Sequence, residues 1–193
     1  MSKLEDLENI EDKLEDLFAR IGPQIHMKNN KCSTYKVFTE LDNLILELKL
    51  ESITSSYAEK KEFLFDFCWK EKKDGNIINI PLVCECEWGG LSHIKYDFSK
   101  LLIAKSEYKL MIFQANNECQ ANSIINELQK IVDGFKSMCK QDKEDKEYYF
   151  LFCFLNSGTT ENHEYFLFAK YFKNGKLESK ICKQKNTNGG TIL

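Results

Sequence analysis

A chain of 193 residues with 42% hydrophobic and 12% aromatic content can bury a real core and is too apolar for a disordered segment. Its formal net charge of -3 does not by itself favour a nucleic-acid partner, and its longest apolar runs, such as residues 150–155, are far too short to span a bilayer. The acidic N-terminus lacks the basic and apolar regions of a signal peptide, so the eight cysteines read as reduced thiols and the expectation is a cytoplasmic protein without a membrane partner.

Leu4, Leu7, Leu14, Leu17, Phe18 and Ile21 recur at helical spacing, and Gly22-Pro23 ends the run. Residues 1–22 therefore form an amphipathic N-terminal helix, with seven acids against three cations in residues 1–20. A seam this narrow offers a possible homodimer contact, and packing on its own domain is the alternative. Residues 23–193 form a single α/β domain. A second helix is predicted from about Thr34 to Lys49, with Val37, Phe38, Leu41, Leu44, Ile45 and Leu48 inward and Glu40 and Glu47 along one edge.

Two strands follow, Glu62 to Lys70 and Ile77 to Trp88, joined by the polar turn 72–76 as a hairpin. Gly89-Gly90 breaks the second strand. Ile94, Phe98, Leu101 and Leu102 mark a short helix, Tyr108 to Gln114 a strand, Ala121 to Met138 a helix, Tyr148 to Leu155 a strand, and Glu164 to Phe172 a last strand before Asn174-Gly175. The strand-helix-strand crossover from Trp88 to Gln114 requires parallel strands, and the order as a whole predicts a mixed central sheet flanked by helices. Residues 170–185 carry six lysines against Glu178 alone and read as a lysine-rich tail, able to touch phosphates as point charges or simply solvated. Arg20 is the only arginine, which removes the usual bidentate reader of guanine.

The charges in the hairpin are misplaced. In PLVCECEWGG, residues 81–90, Val83, Glu85 and Glu87 share one strand face, while Cys84, Cys86 and Trp88 share the other. Asp66 stands among the aromatic residues Phe63, Phe65, Phe67 and Trp69. If the hairpin brings Asp66 to the Glu85 neighbourhood, three carboxylates converge, and hard oxygen ligands of that kind suit Mg2+ or Mn2+. The alternative is a solvated hairpin face. Cys68, Cys84, Cys86 and His93 could supply zinc ligands, but their spacing is not that of a CxxC knuckle. His26, His93 and His163 suggest no relay, although His93 lies near the end of the Glu-x-Glu strand.

Asp66, then about twenty residues later Glu85-x-Glu87 on an adjacent strand, then a helix and another strand, resembles the PD-(D/E)xK nuclease superfamily over roughly residues 34–155. The resemblance implies a restriction-endonuclease-like fold and metal-dependent hydrolysis of DNA. Asp66 and Glu85 would bind the divalent metal, and a lysine would position or activate the attacking water. Glu87 stands at the motif's lysine position, as in some restriction endonucleases, where it would take a second metal or act as base; Phe65 stands where the motif has proline. Lys100, opening the following helix, or Lys70, on the strand face of Asp66, would supply the displaced cation. Glu40 matches the glutamate that family members add from the preceding helix. A nuclease-like domain without catalysis, acting in nucleic-acid or protein binding, and an interaction protein dimerising through its first helix are the competing readings.

Overall fold

A computed structural model describes residues 10–25, 30–47, 50–54, 64–138, 148–155, 165–171 and 177–183. The elements run α1 (Ile10–Ile21), α2 (Asn30–Glu47), β1 (Glu51–Thr54), β2 (Phe67–Lys73), β3 (Asn76–Glu87), α3 (Leu91–Ile103), β4 (Tyr108–Ala115), α4 (Glu118–Met138), β5 (Tyr148–Leu155), β6 (Tyr165–Tyr171) and β7 (Leu177–Lys183). A short 3-10 turn, Gly22–Gln24, follows α1. The strands form one mixed sheet in sequence order. β1, β2 and β3 make an antiparallel meander, β3, β4 and β5 are parallel, and β6 and β7 return antiparallel.

The hydrophobic pattern divides the core into two layers. α1 and α2 cover one face, packing Phe18, Val37, Phe38 and Leu41 on Phe67, Trp69, Cys84, Cys86, Ile112 and Phe152. α3 and α4 cover the other, packing Ile94, Phe98, Leu101, Ile125 and Leu128 on Cys68, Val83, Met111, Phe113, Tyr149 and Leu151. The parallel strands are apolar on both faces because both are covered. The parallel crossover expected from Trp88 to Gln114 is present as β3–α3–β4, and a second one, β4–α4–β5, sits beside it. Among the described residues no helix is long and apolar enough to cross a membrane.

Local chemistry sets the joints. The β2–β3 turn narrows to Asp74-Gly75, both at positive φ (51° and 82°), the two-residue geometry whose twist matches a hairpin; five residues were expected there. Asn117 caps α4 by accepting the Gln120 N–H at 2.9 Å, and Gln120 Oε1 accepts the Asn116 N–H at 2.7 Å. The Trp88 indole donates to Thr34 Oγ1 at 2.8 Å, tying α2 to the end of β3.

Several boundaries and assignments differ from expectation. α2 begins at Asn30 rather than Thr34. β2 begins at Phe67; residues 62 and 63, assigned to it, lie outside the described residues. β1 has the sequence ESIT with one apolar residue, and it is a strand because β2 pairs with it. Residues 177–183 form a strand, β7, paired with β6, with Glu178 in register with Lys170. The described seam of the first helix is not free for a second chain. Ile10, Leu14, Leu17, Phe18 and Ile21 are buried in the chain's own core, with Phe18 stacked on Phe152 at 4.0 Å. Leu4 and Leu7 lie outside the described residues.

Glu40 anchors α1 to α2. Arg20 Nη1 lies 2.9 Å from its Oε2, and Lys36 Nζ lies 2.8 Å from its Oε1. Burial raises the Glu40 carboxyl, but hydrogen bonds from Lys36 and Arg20 outweigh it and hold the carboxyl below its ordinary range. The resulting stability is present above that range and is lost as acid protonates Glu40. Arg20→Met is expected to cost about 1 kcal/mol at neutral pH by chemical denaturation, with the difference shrinking in acid.

Candidate functional site

Asp66 and Glu85 meet because β2 stops short of β3. Phe67 opposite Cys84 is the last pair of that ladder at this end, so the next N–H on the far side, that of Cys86, loses its strand partner. Asp66 Oδ2 accepts that N–H at 3.0 Å. This explains an aspartate among aromatic residues: its carboxylate continues the ladder where the backbone leaves it. Leu64, two residues earlier, holds φ at 29°, where a side chain is strained.

Glu85 lies on β3 between Asp66 and α3. It alternates with Cys84 and Cys86 and so points to the α3–α4 side, opposite Met111 in the register with β4. It is fully buried, so the solvated-face reading does not hold for it. Its Oε1 lies 2.9 Å from Lys100 Nζ, and the same ammonium lies 2.9 Å from Asp97 Oδ1, one turn back on α3. Two carboxyls therefore hold one ammonium, with Asp66 beyond them. Neither Glu85 oxygen is satisfied by an aligned protein donor, and the Asp66 carboxyl is near enough for its charge to oppose ionisation of Glu85. Such a pair is tolerable when it shares a proton or a cation.

The electrostatics agree with the geometry. Burial, and then the Asp66 charge, push the Glu85 carboxyl up to about 8, with Lys100 pulling the other way. Burial likewise raises Asp66, opposed by the Cys86 N–H and Lys100. Lys100 is held charged: burial disfavours its ammonium, but Asp97 and Glu85 outweigh that and raise it.

Of the residues expected at the site, the structure brings together Asp66, Glu85 and Lys100. Glu87 is a correction. It shares the Glu85 face, but its Oε1 accepts the Gly89 N–H across the break that ends β3, and it does not join the pair. A Cβ on Gly89 would stand 2.7 Å from that oxygen and 3.0 Å from His93 Nδ1, so glycine is what lets Glu87 fold back. Lys70 is turned to Glu51 across β1, at 3.4 Å. Glu40 is taken by Arg20 and Lys36, on the helix that covers the opposite face. Cys84 and Cys86 point to the α1–α2 side while Cys68 points to the other, so the four candidate zinc ligands do not converge. Burial raises all three thiols, Cys68 to about 11. Among the described residues no three His, Cys, Asp or Glu side chains are grouped closely enough to enclose a metal ion. Asp97 was missed by sequence reasoning; its signal was the i,i+3 spacing to Lys100.

Fold and site together define a mixed α/β sheet protein with a buried glutamate, paired to a helix-borne lysine, beside a half-buried aspartate. Compared with known proteins, the chain matches no protein-family model, no curated protein and no solved structure.

Proposed function

We propose that the protein is a metal-dependent nuclease of restriction-endonuclease-like fold that hydrolyses DNA phosphodiester bonds in the cytoplasm, with Asp66 and Glu85 as its cation ligands. The observation that carries the reading is the Asp66–Glu85 pair, a fully buried glutamate beside a half-buried aspartate, with Lys100 as the cation at the glutamate. The order of elements supports it: Asp66 leads into β2, β2 pairs with the Glu85 strand, and α3 and parallel β4 follow.

The donor set suits Mg2+ or Mn2+, which take hard oxygens and are commonly held by one or two carboxylates, with waters and substrate phosphate completing the shell. Bound there, such an ion lowers the pKa of a water and polarises the scissile phosphate. The chain's own residues do the rest. Asp66 fixes the carboxylate geometry through the Cys86 N–H, and α3 carries Lys100 to the same point. Once the acids are neutralised otherwise, Lys100 is placed to stabilise charge developing on the phosphate.

One observation favours a second reading, a nuclease-fold protein that binds nucleic acid or protein without cleaving: only two of the three expected carboxylates meet. A cleavage panel of single-stranded, duplex and branched DNA with Mg2+ or Mn2+ separates the two. The nuclease reading expects metal-dependent cutting that falls at least about a hundredfold in Glu85→Ala. Binding without cutting on every substrate supports the second reading.

A further inference from the structure

Residues around the carboxyl pair expose apolar surface that the cation chemistry does not use. Tyr96 on α3 is 71% exposed, and Lys100 Nζ sits over its ring at 5.9 Å from the centroid. Leu64, 68% exposed, stands two residues before Asp66 at its strained φ. An exposed aromatic ring thus lies beside Lys100 on α3, and an exposed aliphatic side chain precedes Asp66 in the chain. Backbone strain of this kind persists where surrounding structure imposes it, and it concentrates at sites of ligand contact.

We infer that this rim receives an unpaired nucleotide of single-stranded DNA, its base stacked on Tyr96 and Leu64 set against the neighbouring base, while its phosphate lies toward Lys100. The inference rests on the nuclease reading and narrows its substrate. Every base has a π-face, so a tyrosine platform accepts any sequence, but in a duplex that face is covered by stacked neighbours. The charge of the chain points the same way. A duplex is gripped largely through its dense phosphate charge, and here the formal net charge is -3 with one arginine. That arginine is committed to Glu40 on the other side of the sheet. On the site's side α3 brings Lys100, a point charge for a phosphate beside a stacked base.

The test is fluorescence anisotropy with a short labelled oligothymidine and a blunt duplex of equal length, in Ca2+ so that the strand stays intact, for the wild type, Tyr96→Ala and Tyr96→Phe. Tighter wild-type binding to the single strand is expected. Tyr96→Ala should weaken single-strand binding about tenfold or more without changing duplex binding, and Tyr96→Phe should retain it. Equal losses on both substrates, or no loss, overturn the inference; if Mg2+-dependent cutting still disappears in Glu85→Ala, the nuclease reading survives that result. Failure of the wild type to bind or cut either oligonucleotide overturns both.

Discussion

Glu85→Gln is expected to abolish a fall in stability that the wild type shows between about pH 5 and pH 8 in the absence of divalent cations. The sign follows from the carboxyl's environment. In the unfolded chain Glu85 titrates near its ordinary value; in the fold burial and Asp66 push it up to about 8. Between those values the folded state holds a proton that the unfolded state has released, so raising the pH favours unfolding. The expected loss across the window is on the order of 3 kcal/mol, read from denaturant midpoints at each pH. Glutamine keeps the shape of the side chain and cannot ionise, so its curve should be flatter there. Mn2+ should restore the wild type near pH 8 and leave Glu85→Gln unmoved, since binding to the folded state alone stabilises by mass action.

Lys100→Met is expected to separate cation binding from catalysis. The ammonium stands 2.9 Å from both Glu85 and Asp97. Its removal should destabilise the protein by roughly 2–3 kcal/mol near pH 8, less than the full cost of breaking a buried pair, because Lys100 is partly exposed and Glu85 can take up a proton. The same loss of positive charge should tighten Mn2+ binding, as the ion no longer competes with a lysine for the Glu85 oxygen. On the proposed nuclease reading cleavage should nonetheless fall, because the charge placed to stabilise the transition state would be gone. Calorimetric titration of Mn2+ and a single-turnover cleavage assay on the same preparation check the two halves.

The fold was legible wherever a segment carried its own period. Both faces of β3 follow from alternation, and the parallel crossover follows from a strand, a glycine break and a helix in that order. β1 and β7 were not legible, one because a four-residue strand with a single isoleucine has no pattern, the other because lysines on an edge resemble a solvated tail. At the site, alternation placed Glu85 and Glu87 on one face but could not foresee that the Gly89 break lets the second turn away. Aspartate among aromatic residues correctly marked Asp66 as unusual. That it takes over a ladder hydrogen bond from Cys86 depends on where β2 begins, which strand propensity does not fix. Nor did composition show that Glu85 would be fully buried, since that depends on α3 closing over it.

The most direct measurement of the central claim is calorimetric titration of Mn2+ into the wild type and Glu85→Gln near pH 7, in two buffers of different ionisation enthalpy. A cation that displaces the proton held by Glu85 should bind the wild type with proton release, and binding should be lost in Glu85→Gln. Equal affinity in the two proteins, or binding without proton release, would contradict the assignment of Asp66 and Glu85 as a cation site.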